Sequence, residues 1–452
     1  MESVGTIKDL KVKVSYQQIL SIAVPITLAL LIPQINMLTN SIFLGNLSTE
    51  SLGNAGITGV YYLIFAVVGH GLNNAMQSVF SRYAGSGDSE AFKIILAQGI
   101  RISLQFAAAG ILLTWFIAPY VLQKLVALGS FPVDMSFLKI RILGLPFLYL
   151  FQMGNAFLVA SLNSKYLMIG FISEALLNIL LDYLLIFGHA GFPPMGFNGA
   201  ALASVISEFI GFLVVLLVLF KTGLSKEYSL FKKYNFDKTK TKEILKVAVP
   251  LVVQFVISVG TWLVFFIFIE DKGTEAKAIS NTMRIVFGLV GVFVWAFAAT
   301  SNTMVSNIIG QQRNDLVLVA INRITILSFC CCSMMCLIIN IFPHQFFALF
   351  GQTDQFITNG IPVLRVVSLG LMIMSISNIW LNGVTGTGKT TVNLLIEIVA
   401  ILFYMSYTWI FMKLNYLSLE IAWGNEIIYW IFIFFASFIF LKTGKWRDKI
   451  KS

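Results

Sequence analysis

Charge is scarce in this chain: Asp, Glu, Lys and Arg make up 12% of its 452 residues, against roughly 25% in an ordinary soluble domain. So few charges cannot furnish the surface of a large soluble body. Histidine is nearly missing, with His70, His189 and His344 alone, and the four cysteines (Cys330, Cys331, Cys332, Cys336) share one apolar stretch. No Cys-x-x-Cys pair meets a histidine in polar surroundings, so neither a zinc centre nor a disulfide framework is expected. His70 lies in a glycine-containing span; packing is its plain reading, a proton relay the sharper one. Strict apolar–polar alternation is missing too, which excludes an outer-membrane barrel. The longest polar stretch, 221–246, has room for a linker or a short surface helix and for no further domain.

What the chain has in plenty is apolar length. Hydrophobic residues are 58% of the total, with 40 Phe, and runs of 18 or more residues recur throughout, enough to cross ~30 Å of hydrocarbon. Spans are expected near 17–45, 53–81, 92–118, 134–161, 166–189 and 197–221, then near 244–270, 276–309, 316–342, 359–386, 390–413 and 421–442. The formal net charge of +10 is distributed by loop, not gathered into a patch for nucleic acid. Lys8, Lys11, Lys13, Arg82, Lys93, Lys165, the lysines of 221–246, Arg313, Lys389 and the tail Lys442–Lys451 fall on one side. Lys124, Lys272, Lys277 and Lys413 fall on the other. The positive-inside rule then predicts both termini and the basic linker on the cytoplasmic side of the membrane. Lys8, Lys11 and Lys13 precede a long span without a small-residue cleavage site, so the first span reads as retained.

The chain also repeats itself. Ala23-Val24-Pro25 recurs as Ala248-Val249-Pro250, and Phe80-Ser81-Arg82-Tyr83-Ala84-Gly85 matches Val305-Ser306-Asn307-Ile308-Ile309-Gly310, both 225 residues on. Leu138-Lys139-Ile140-Arg141 mirrors Pro362-Val363-Leu364-Arg365 at a separation of 224. Six spans per copy make the copies parallel. The expected fold is an all-α membrane protein of about 12 transmembrane helices, in two six-helix lobes related by a pseudo-twofold along the membrane normal. The expected domains are a first lobe 1–221, a basic cytoplasmic linker 222–243 and a second lobe 244–452. A seam between two such lobes is where alternating access places a substrate, so transport is the expected activity, with the lipid bilayer as surroundings, no enzymatic reaction and a monomeric state.

An ionisable group at a span centre costs at least ~2.5–3.5 kcal/mol, so each needs a reason. The fifth span has Glu174, Asn178 and Asp182 at i, i+4, i+8, along one side of a helix. The first span offers Gln34, Asn36 and Asn40, with Pro33 placed to loosen a turn. Asn54, Asn73, Asn74 and Asn155 add amides. Carboxylate, amide and carbonyl oxygens in a dry site suit Na⁺, or a carboxylate that carries a proton. An amide network can instead simply join helices; for Asp182 the functional reading leads. Glu174 is nearer the cytoplasmic end and within reach of Arg141 or Lys139, while Arg101, Arg284, Arg323, Arg365 and Glu208 read as pairing or snorkelling groups. In the second copy Glu397 is the clear buried acid, with Gln254, Asn281 and Asn378 polar but neutral.

Residues 383–390, Gly-Val-Thr-Gly-Thr-Gly-Lys-Thr, satisfy the G-x-x-x-x-G-K-[ST] phosphate-loop pattern. A true phosphate loop follows a buried strand in an α/β domain. Here apolar spans flank it closely, so a tight glycine-bearing turn is the better reading and an ATP-driven enzyme the weaker one.

Together these features resemble the multidrug and toxic-compound extrusion (MATE) family. The resemblance is carried by the Ala-Val-Pro openings, Ser41-Ile42-Phe43-Leu44-Gly45, Gly71-Leu72-Asn73-Asn74-Ala75-Met76-Gln77-Ser78 with Arg82-Tyr83-Ala84-Gly85, Asn178-Ile179-Leu180-Leu181-Asp182, and Gly386-Thr387-Gly388-Lys389-Thr390. It implies export of amphipathic, often cationic, organic compounds in exchange for Na⁺ or H⁺, with no other cofactor. It further implies a first-lobe cation site of span-five Asn and Asp with a span-one Asp. Asn178 and Asp182 match, and are the residues expected to hold Na⁺; the span-one position holds Asn40 instead. Along the chain no acid stands at the seventh-span position near Ser258 or the tenth-span position near Met374, where some branches carry one, so coupling in the second lobe is not expected. Cation coupling is therefore expected at Asp182, Asn178, Asn40, Asn36 and Glu174. Gln34, Phe65, Met76, Gln254 and Trp262 are expected to line the substrate cavity, and Pro25, Pro33 and Pro250 to bend helices. A second reading is a lipid-linked oligosaccharide flippase of the wider superfamily, whose strongly basic cavity this chain lacks.

Overall fold

A computed structural model describes residues 10–125, 130–348, 354–414 and 418–447. Lys8, Lys449 and Lys451 of the charge argument lie outside them. Among the described residues twelve helices are long and apolar enough to cross a membrane. They are α1 (Tyr16–Leu47), α2 (Gly53–Ser86), α3 (Ser89–Lys124), α4 (Phe131–Ala160), α5 (Ser164–Phe187), α6 (Gly196–Lys221), α7 (Lys238–Ile269), α8 (Thr274–Gly310), α9 (Asn314–Ile341), α10 (Asp354–Gly386), α11 (Thr390–Phe411) and α12 (Leu419–Thr443). All twelve expected spans are present, and the protein is an all-α, multi-pass membrane protein. Their outer faces are apolar: Ile42, Leu176, Leu180, Leu217, Leu337, Leu402 and Ile439 all stand exposed, as a hydrocarbon solvent allows and water would penalise.

The chain forms two compact units. The first takes Leu28–Ala248, hence most of α1, all of α2–α6 and the first turns of α7. The second takes Lys11–Thr27 and the chain from Val249 on. The stretch between α6 and α7 packs as part of the first unit. Tyr228 is buried with its ring 5.2 Å from those of Phe92 and Phe157, and this burial pushes its phenol above the ordinary tyrosine range. Gln98 and Arg101 of α3 hold the same stretch by donating to the carbonyls of Asn235 and Tyr234. In the second unit Asn307 and Gln311 grip both backbone groups of Val12, at 3.0 and 3.1 Å, and Arg323 donates to the carbonyl of Val14.

The turns explain the glycine-rich motif. Gly87, Leu162, Gln312 and Gly388 each take a positive φ, between 58° and 77°, within two residues of the ends of α2, α4, α8 and α10. Such a residue ends a helix by turning its amide back onto the last carbonyls. Leu162 N–H bonds to Val159, Gln312 N–H to Ile309 and Gly388 N–H to Thr385. Gly388 thus repeats the turn of Leu162. Gly386 serves packing: a Cβ there would lie 2.9 Å from the Asn302 carbonyl and 2.7 Å from Val305. Gly383 and Gly386 are both inside α10. The phosphate-loop pattern is a helix end.

Candidate functional site

The first unit is built around the pair α5 and α6. Gly199, Ala203, Ser207 and Gly211 are buried at four-residue spacing on α6, the small-residue stripe that lets membrane helices approach closely. A Cβ on Gly199 would come within 2.7 Å of the Leu185 carbonyl oxygen, so backbone meets backbone there. On α5 the facing side is Ala175, Asn178, Asp182 and Leu185, all buried. The i, i+4 spacing of Asn178 and Asp182 therefore places both within the unit and off the lipid face.

Asp182 is 0% exposed and Asn178 1%. Neither oxygen of Asp182 accepts a hydrogen bond, nor does Asn178 Oδ1; Asn178 Nδ2 makes a long contact, 3.4 Å, to Ser204 Oγ. On α1, Asn36 and Asn40 each have a buried Oδ1 without a partner, as has Asn155 on α4. A buried oxygen without a donor costs about 1–3 kcal/mol, more if charged. A set of such oxygens is chemically suited to a hard cation, which binds oxygen lone pairs directly. No hydrogen bond joins Asn36 or Asn40 to Asp182. Asp134 also has two unpartnered oxygens, but it stands in the first turn of its helix, where the helix dipole favours an anion. Helix α1 is helical through Pro25 and Pro33, so the loosened turn expected at Pro33 is limited to the amide hydrogen proline lacks.

Glu174 lies one turn away from Asn178 and packs on Gly211, where a Cβ would stand 3.1 Å from its own. The ion pair considered for it goes elsewhere. Arg141 makes a bidentate pair with Glu208 of α6, at 2.9 and 2.6 Å, and covers the ring of Tyr62 at 3.8 Å, whose hydroxyl donates to Glu208 at 3.2 Å. The pair sits where α4 breaks, Ile142–Gly144 forming a tighter turn before Leu145. Gly144 is required there, since a Cβ would fall 2.1 Å from Glu208 Oε2. Lys139 reaches the Trp115 ring instead, at 5.6 Å.

The five residues expected to line a cavity separate by unit. Gln34, Phe65 and Met76 are in the first; Met76 is buried against the α3 glycine Gly99, while Gln34 and Phe65 are half-buried. Gln254 and Trp262 are in the second. Gln254 is buried and donates to Glu397 at 3.3 Å, and Trp262 packs edge-on to Phe266 at 4.6 Å. His70 is exposed on α2, and His189 stacks on Tyr183 at 4.2 Å. Among the described residues no three His, Cys, Asp or Glu side chains gather as a metal cluster.

Glu426 escaped the sequence reading. It lies within α12, next to the Gly424-Asn425 step that resembles a loop, yet it is buried and accepts from Trp430 at 3.1 Å and Tyr404 at 3.4 Å. The one signal available was its i, i+4 spacing to Trp430.

The MatE family model matches residues 25–184 and again 250–410, one match in each half of the chain. A probable multidrug resistance protein NorM of Thermotoga maritima is 25% identical over 425 residues, covering 91% of this chain and 89% of that protein. One from Synechocystis is 24% identical over 371 residues, covering 79% of each. A crystal structure of MATE in complex with MaL6 matches at TM-score 0.86 and 17% identity over 98% of both chains. A MOP superfamily transporter from Pyrococcus furiosus matches at 0.84 and 18%, also over 98% of both, and the reverse polarity of its binding pocket is said to suggest a different function. At that identity the likeness carries the fold and no more. With its two matched halves together spanning more than half its length, the chain belongs to the MatE family, that of the multidrug and toxic-compound extrusion transporters.

Proposed function

We propose that this protein is a secondary antiporter that exports amphipathic, cationic organic compounds in exchange for Na⁺ or H⁺, with the coupling cation bound at Asp182. The observation that carries the reading is a carboxylate at 0% exposure whose two oxygens accept no hydrogen bond. So costly an arrangement has a use if a cation binds there in part of a cycle. Asn178 supplies the neighbouring amide oxygen, Asn36 and Asn40 are the α1 candidates, and Glu174 is a second acid one turn along. Cation and organic substrate would favour different arrangements of the helices, and that difference in affinity couples the two fluxes. The named relatives, multidrug resistance proteins, support the substrate class. The protein would act in the inner membrane, both termini in the cytoplasm, as a monomer.

The test is ethidium movement in proteoliposomes under an imposed Na⁺ or proton gradient. Gradient-driven transport that Asp182→Asn abolishes supports the assignment; wild-type rate and gradient dependence in that variant sink it. The oligosaccharide flippase reading loses support from Arg141, whose charge is spent on Glu208 and is not free for a pyrophosphate.

A further inference from the structure

The second unit has a carboxylate in the opposite chemical setting. Glu397 of α11 is 1% exposed, and both its oxygens are engaged. Gln254 Nε2 donates to Oε2 at 3.3 Å, while the hydroxyls of Ser258 and Tyr429 both contact Oε1. The ring of neutral groups continues outward, Asn393 Nδ2 donating to Gln254 Oε1 at 2.8 Å and to Thr385 Oγ1 at 3.0 Å. No lysine or arginine takes part in these contacts.

The hydrogens can be counted. Ser258 has one hydroxyl hydrogen, and its oxygen lies 2.8 Å from the Gln254 carbonyl as well as against Glu397. A carbonyl cannot donate. When Ser258 gives its hydrogen to Gln254, the Ser258–Glu397 contact is a hydrogen bond only if the carboxyl group supplies the proton. When Ser258 turns to Glu397, the ionised carboxylate accepts from three donors and the Gln254 carbonyl is left to its helical bond. The same heavy atoms thus suit both charge states, separated by one hydroxyl rotation. A metal ion would not fit so readily, because it would have to displace N–H and O–H donors from both oxygens. We propose that Glu397, with Ser258 and Tyr429, is a proton-binding site in the second unit, separate from the Asp182 site.

The other groups facing it are few. From α12 come Tyr429 itself and, one turn earlier, Glu426; from α11 comes Tyr404, whose ring meets that of Tyr429 at 5.7 Å and whose hydroxyl reaches Glu426. From α7 come Ser258 and Gln254, and from α10 Thr385 through Asn393, none of them ionisable. Two buried carboxylates, each accepting from a tyrosine, therefore share one pair of packed rings. No acid neighbours Ser258 along the chain, so the sequence pointed away from coupling in this unit; Glu397 reaches Ser258 from another helix.

Two measurements on the full-length protein test this. In lipid nanodiscs without substrate, infrared difference spectra between acidic and alkaline buffer should show a carboxylic acid carbonyl band, lost in Glu397→Gln and kept in Glu397→Asp. Absence of any such difference between wild type and Glu397→Gln overturns the proposal, whatever the transport assay shows. In proteoliposomes, Glu397→Gln should lower ethidium transport driven by a proton gradient about tenfold, within the usual span of coupling effects, and spare any Na⁺-driven component. Equal loss of both components with an unchanged melting temperature would assign Glu397 a purely positioning role and overturn the site. Because the infrared band does not depend on transport, it separates failure here from failure of the antiport reading.

Discussion

Asp182 and Arg141 are buried in the same unit and face opposite situations. Arg141 has a bidentate partner, so its cost is offset locally, and removing either partner leaves the other charge stranded. Arg141→Ala should destabilise the protein by about 3–5 kcal/mol, read as a lower melting temperature in detergent, whereas Arg141→Lys should fall between, lacking the planar fork that holds both Glu208 oxygens. Asp182 has no partner to lose. Asp182→Asn should leave the melting temperature unchanged or raise it while abolishing gradient-driven transport. A fall in stability matching the loss of Arg141 would show that Asp182 is structural. Asn178→Ala should keep transport but weaken the apparent affinity for the coupling cation about tenfold, measured as the half-saturating gradient. These contrasts were half visible in the sequence. The i, i+4, i+8 set on α5 was legible because helical spacing alone puts the three residues on one side. Which acid Arg141 chooses was not, because Glu174 and Glu208 are on different helices and only packing decides which is nearer.

At the scale of the helix, small residues and turns position the site. Gly199→Ala puts a methyl group into the Leu185 backbone, which cannot rotate away as a side chain could. It should cost about 1–3 kcal/mol by overpacking, and by separating α5 from α6 should disturb transport although residue 199 touches no ion. Ala203→Gly, on the same stripe, should have a smaller effect on transport. The left-handed turns make a prediction of opposite sign. Gln312 is exposed with φ 61°, a conformation that costs a side-chain-bearing residue about 1–2 kcal/mol. Gln312→Gly should therefore raise the melting temperature, while Gly388→Ala at φ 77° should lower it. Were Gly388 part of a nucleotide site, ATP would shift the wild-type melt; no shift is expected. The sequence alone favoured a turn at 383–390, but the left-handed backbone it shares with Leu162 and Gln312 could not be read there, since a leucine and a glutamine give no hint of positive φ.

At the scale of the whole molecule the charge asymmetry of the loops makes the topology testable. In a variant with Cys330, Cys331, Cys332 and Cys336 replaced by serine, a membrane-impermeant maleimide should label Lys233→Cys only from the cytoplasmic side and Lys272→Cys only from the other. Labelling of both from one side would refute the orientation. Span number, helix type and the twofold repeat followed from the sequence by itself, because crossing hydrocarbon demands long apolar helices with satisfied backbones and because loop charge reports on side. The unit to which the ends of α1 and α7 belong was decided only by the tertiary structure, as was the close meeting of α5 and α6. So was the contrast between a bare carboxylate at Asp182 and a donor-saturated one at Glu397. Both acids look alike in sequence, each a lone charge in an apolar run. What distinguishes them is which polar atoms other helices bring within hydrogen-bond reach, and that depends on contacts between residues far apart in the chain, such as Ser258 and Glu397.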